Sequence, residues 1–70
     1  MARLIEEEIL SEDESTLTIR FKRRNGKYLD RQVPKVTGMT NEQIMNRWHR
    51  RMTIDYLQNR ILPSKWNSPE

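Results

Sequence analysis

Seventy residues, 34% of them apolar and 33% charged, allow one small domain, because a chain of this length buries only about 60% of the surface it exposes when unfolded. Cysteine is absent, which excludes disulfide staples and thiolate metal sites, and lone His49 cannot build a zinc site unless several carboxylates converge on it. The net charge of +3 is segregated: Glu6, Glu7, Glu8, Glu12, Asp13 and Glu14 face only Arg3 at the start of the chain, whereas residues 15–52 set ten basic side chains against Asp30 and Glu42.

From Leu4 to Leu10, Ile5 and Ile9 lie an even number of residues apart, and the segment runs into the polar cluster SEDES, so a strand over about 3–10 is expected. Thr16 to Arg23 alternates cleanly, with Leu17, Ile19 and Phe21 between Thr18, Arg20 and Lys22, and predicts a strand over 16–23. Lys27 to Val33 supplies a returning strand, ended by Pro34, which has no N–H to donate. A two-residue loop at Asn25-Gly26 would set Phe21 opposite Asp30. A three-residue loop, Arg24-Asn25-Gly26, with glycine in the left-handed conformation, instead sets Phe21 beside Leu29, Leu17 beside Val33, Arg20 across from Asp30 and Lys22 across from Tyr28. Only the second register gives one apolar face. Continuing the meander backwards brings Ile9 near Leu17 and Ile5 near Phe21, and leaves Glu7 on the apolar side at an exposed edge.

Thr40 and Gln43 form a capping-box pattern, and Met39 is placed to staple onto Ile44, so a helix starts at Asn41. It is expected to reach about Ile61, with Pro63 stopping it and residues 63–70 forming a tail that is loose apart from Trp66. Ile44, Met45, Trp48, Met52 and Tyr56 fall on one stripe, whereas Ile54, Leu57 and Ile61 point elsewhere. This change of stripe near Thr53 predicts either a break there or, favoured here because no glycine or proline interrupts 39–62, one helix whose later half meets a second surface such as another copy of the chain. The expected fold is thus α+β: a three-stranded antiparallel meander (about 3–10, 16–23, 27–33) packed against one C-terminal helix (about 41–61), in a single domain over 1–62.

Arg20, Lys22, Arg23, Arg24, Lys27, Tyr28 and Arg31 cluster around the hairpin, and Arg47, Arg50 and Arg51 form a second group on the helix. Guanidinium groups fork onto phosphate oxygens, and released counterions favour such contacts, so nucleic acid, DNA before RNA, is the expected partner of a small accessory or regulatory protein. The bland alternative is a solvated face compensated by the acidic N-terminal segment. A reading of another class is a protein-interaction module, an inhibitor or assembly factor that meets an acidic surface through the basic helix and the stripe of Ile54, Leu57 and Ile61, with Trp66 either a lid on the core or a partner contact. The acidic run matches no calcium loop and reads as strand and turn, or as a phosphate mimic shielding the basic surface. His49 has Met45, Asn46, Met52 and Thr53 as helical neighbours, none a catalytic partner, and reads as a surface or boundary residue. Two glycines cannot form a phosphate-cradling loop, and no catalytic spacing occurs, so neither enzyme activity nor a cofactor or metal is expected. No segment reaches the roughly 20 apolar residues of a membrane span, and MARLIEEE is acidic where a secretory signal is positive, so a cytoplasmic location is expected.

In element order over residues 3–60 this layout resembles the three-stranded-sheet DNA-binding modules at the front of tyrosine recombinases. The resemblance lies in layout without a shared motif, and it implies a sheet that enters the major groove.

Overall fold

Strict alternation of apolar and polar side chains builds the sheet and decides which face is covered. In the computed structural model, which describes residues 3–69, the strands β1 (Ile5–Glu12), β2 (Thr16–Arg23) and β3 (Tyr28–Pro34) form an antiparallel sheet in the order β1-β2-β3. The helix α1 (Asn41–Leu57) follows, then a short 3₁₀ turn, Pro63–Lys65. Leu17, Ile19 and Phe21 of β2 are fully buried on the helix side, each worth about 1.5–3 kcal/mol in removed apolar surface. Ile5, Val33, Ile44, Met52 and Trp66 complete the core.

The β2–β3 register is the expected one, with Phe21 opposite Leu29, Leu17 opposite Val33, Arg20 opposite Asp30 and Lys22 opposite Tyr28. Arg23 N–H donates to the Lys27 carbonyl at 2.8 Å and Gly26 N–H to the Arg23 carbonyl at 3.0 Å. Gly26 sits at φ 90, which its missing Cβ permits. Asn25 Oδ1 accepts from Lys27 N–H at 3.0 Å and rigidifies the loop.

The β1–β2 register differs from expectation. Ile9 faces Ile19 and Ile5 faces Arg23, with Glu7 opposite Phe21. Two local features set this. Asp13 closes a tight connection, its Oδ1 accepting from Ser15 N–H at 2.9 Å and from Thr16 N–H at 2.8 Å. A bulge between Ile9 and Ser11 then absorbs one extra residue and leaves Leu10 exposed. The strand therefore runs to Glu12, using part of the SEDES cluster that reads as turn. Glu7 is not at an exposed edge: its side chain is only 3% exposed on the inner face.

At the start of α1, Thr40 Oγ1 accepts from Gln43 N–H at 3.1 Å while Gln43 Oε1 accepts from Thr40 N–H at 2.9 Å, completing the capping box. Ile44 and Met52 are buried, and Met39, Met45, Trp48 and Tyr56 pack against the core. The helix passes unbroken through Thr53 and ends at Leu57 rather than near Ile61. Asn59 adopts φ 56, Asn59 N–H donates to the Tyr56 carbonyl at 3.1 Å, and Arg60 N–H donates to the Asp55 carbonyl at 2.8 Å. This is the pattern of a Schellman motif, with asparagine where glycine is usual. The reversal brings Ile61 back against the core. The tail is not loose either. Trp66 is 7% exposed, its ring edge-on to Tyr56 at 6.0 Å, and Tyr28 and Asn67 exchange two backbone hydrogen bonds of 2.7 and 3.0 Å. Among the described residues, no helix is long and apolar enough to cross a membrane.

Two outcomes test this account. A β-branched residue in the left-handed conformation costs about 1–2 kcal/mol, so Asn59→Val lowers unfolding stability in urea by about that amount, whereas Asn59→Gly matches or exceeds the parent. Backbone N–H groups of Ser15 and Thr16 hold Asp13 below the usual carboxylate range, and the Lys35 and Asn41 side chains do the same for Glu12. A carboxylate depressed in the folded state stabilises the fold above its unfolded pKa and loses that contribution as pH falls through the folded one. Thermal stability therefore declines as pH drops below the usual carboxylate range, and Asp13→Asn shows a shallower decline.

Candidate nucleic-acid interface

The cations gathered around the hairpin in sequence are divided by the strand pleat. The solvent face of the sheet carries Arg20 and Lys22 together with Glu6, Glu8 and Asp30. Glu6 stands opposite Lys22, and Glu8 and Asp30 flank Arg20 on either side. Arg20 is already engaged: Nε donates to Asp30 Oδ1 at 2.8 Å, Nη2 donates to Oδ2 at 3.0 Å, and the guanidinium lies 4.1 Å from the Tyr28 ring centroid. These hydrogen bonds hold its pKa above the ordinary arginine value. Two cations against three carboxylates make a nearly balanced face, poorly suited to attract phosphate.

Odd-numbered positions turn the other way. Arg23 Nη2 donates to Tyr56 Oη at 2.9 Å, and its guanidinium lies 4.5 Å from the Tyr56 ring and 5.2 Å from Trp66. Its role is to close the core's edge. Arg31 reaches toward Trp48 on the helix side, 5.9 Å from the ring centroid. At the hairpin tip Arg24 is exposed and Lys27 half-buried, and neither has a carboxylate within 4 Å among the described residues.

The helix keeps its cations together. Arg47, Arg50 and Arg51 are all exposed, and none makes an ion pair among the described residues. With Ile54, Asp55 and Arg60 they line an open cleft of about 580 Å³. Asp55 is the one acidic wall and lies 3.8 Å from Arg60. Arg60 escapes a reading by helix periodicity because the Asn59 reversal, not the helix, brings it to this cleft; an asparagine followed by a basic residue near a helix end is the sequence signal. Of the second apolar stripe, Ile54 and Leu57 are 49% and 61% exposed, but Ile61 packs against the core and Trp66 is buried, so neither joins an exposed surface.

His49 has a partner that helical spacing cannot reveal. Its Nδ1 lies 2.8 Å from Glu7 Oε2, and Arg3 Nη2 donates to Glu7 Oε1 at 2.9 Å. The carboxylate is 3% exposed and the imidazole 20% exposed. Glu7 thus sits among Ile5, Ile9 and Phe21 with both oxygens occupied, which offsets the cost of burying a charge. The pair joins β1 to α1 in a specific orientation. Among the described residues, no group of three or more histidine, aspartate or glutamate side chains is placed to hold a metal ion.

No family model matches the chain, and no curated protein or solved structure is significantly similar to it.

The Glu7 contacts generate a stability test. Glu7→Ala strands the His49 Nδ1 and empties part of the inner face, with an expected loss of about 1–3 kcal/mol in urea unfolding. Glu7→Gln retains an acceptor and loses less. Equal stability of Glu7→Ala and the parent would show that the pair contributes nothing.

Proposed function

We propose that the protein binds nucleic acid, and that the outward side of α1, not the solvent face of the sheet, meets the phosphate backbone. The observation that carries this reading is the trio Arg47, Arg50 and Arg51, exposed together on one helix with no ion-pair partner among the described residues. Guanidinium groups left without carboxylates are free to fork onto phosphate oxygens. Arg24 and Lys27 at the hairpin tip add a second cationic point. DNA before RNA remains the preferred partner, in an accessory or regulatory role that needs no catalytic group.

A second reading has its own support. Ile54 and Leu57 sit beside the arginines at 49% and 61% exposure, and Leu62 is 60% exposed, which suits an acidic protein partner or a second copy of the chain. Salt dependence separates the two. Three phosphate contacts give a log–log slope of roughly −3 and an affinity loss of about 40-fold between 50 and 200 mM salt.

In mobility shifts against duplex DNA, single strands and RNA, the paired substitution Arg47→Glu and Arg50→Glu is expected to weaken binding more than about tenfold, and Arg50→Ala to flatten the slope by about one. Far-UV circular dichroism checks that the helix persists. If no nucleic acid shifts at low salt, or if binding depends on Leu57→Ala and not on the arginines, the interaction-module reading takes its place.

A further inference from the structure

The two groups of cations on the helix side meet at one aromatic ring. Trp48 is half-buried, with the Arg51 guanidinium 5.1 Å from its ring centroid and that of Arg31 5.9 Å away. Beside it opens a cleft of about 270 Å³ between the start of α1 and the segment after β3. Val36, Met39 and Ile44 supply apolar walls, Trp48 an aromatic one, and Arg47 and Arg51 stand at the charged rim. Among the described residues, neither arginine has a carboxylate within 4 Å; Arg47 makes only a long contact to Met39 Sδ at 3.9 Å. The cleft is smaller than the roughly 300–1,000 Å³ of a small-molecule site, a size for one flat ring and not for a whole cofactor.

We infer that this cleft stacks a nucleobase against Trp48 while Arg47 and Arg51 take the adjoining phosphates, so that the preferred ligand is a single-stranded nucleic acid. The inference rests on the proposed phosphate contact of α1 and specifies its ligand. Aromatic faces and guanidinium planes are what unpaired bases stack on, and a cationic rim follows the backbone. Bases in a duplex are occupied in their own stack and reach such a cleft only by being turned out of the helix. Arg51 and Arg31 cover the ring in the free protein through contacts weak enough to exchange. When a base replaces Arg51 on the indole, its guanidinium swings onto phosphate, and no charge is left buried. The apolar wall explains why the site takes more than a bare phosphate: Val36, 41% exposed, makes no use of an anion but supports the edge of a ring.

The test uses intrinsic fluorescence, since buried Trp66 gives a background that ligand does not reach. The whole protein is titrated with an oligothymidylate of about ten nucleotides, within the usual footprint of single-strand binders, and with a duplex of equal length at matched salt. The expected result is saturable quenching by the single strand, with affinity at least about tenfold tighter than for the duplex. Trp48→Phe is expected to abolish the quenching, and Trp48→Leu to weaken single-strand binding roughly 5- to 100-fold with little effect on duplex. Because Trp48 packs against the core, Val36→Glu supplies an independent variant: it places a carboxylate on the cleft wall without touching the core and is expected to reduce single-strand affinity selectively. Duplex binding as tight as single-strand binding, with unchanged tryptophan emission, overturns this inference and leaves the helix-phosphate reading standing. Absence of any mobility shift with either ligand at low salt overturns both.

Discussion

A single helix must cover the apolar face of a three-stranded sheet, and most other features of the fold answer to that constraint. α1 lies over β1 and β2, so the inner side of β3 needs other cover. Trp66 provides it from the tail, and Trp48 extends toward it from the helix. Both rings have edges that one helix cannot seal, and Arg23 and Arg31 lie along them, their stems covering apolar surface and their guanidinium groups over the aromatic faces. The tail is then a structural element, anchored by the paired backbone of Tyr28 and Asn67.

The same constraint explains a buried carboxylate in so small a core. Strand periodicity puts Glu7 on the inner face between Ile5 and Ile9, where water cannot solvate it. Arg3 and His49 satisfy it from two directions, turning an unfavourable residue into a directional link between β1 and α1. A hydrophobic contact there would allow the helix to slide over the sheet. A two-sided hydrogen bond does not.

Charge is sorted by the pleat into surfaces of different use. Even-numbered positions of β2 and β3 meet carboxylates across the strands, and the sheet's open face is nearly neutralised. Odd-numbered arginines are spent on aromatic edges. α1 and the hairpin tip group cations that have no ion-pair partner among the described residues, whereas Lys22, also without one, stands opposite Glu6 on the sheet's open face. The chain's net positive charge therefore acts through a narrower surface than the arginine content implies, and it is the surface that carries Trp48.

Strand alternation, the three-residue hairpin loop that alone sets apolar residues opposite one another, and the Thr40 and Gln43 box are local rules, and the sequence by itself determined the α+β layout, the β2–β3 register and the helix start through them. The β1 register was not legible, because the Asp13 turn and the bulge between Ile9 and Ser11 move its partners, and the spacing of apolar residues announces neither. The helix end was misread for a related reason: asparagine tolerates the left-handed conformation without announcing it as glycine does, and the gain from returning Ile61 and Trp66 to the core selects it. Which arginines stay free, and that His49 meets Glu7 across 42 positions of chain, only the tertiary structure decided. Ion pairing and burial depend on distances between segments, which no one-dimensional pattern contains.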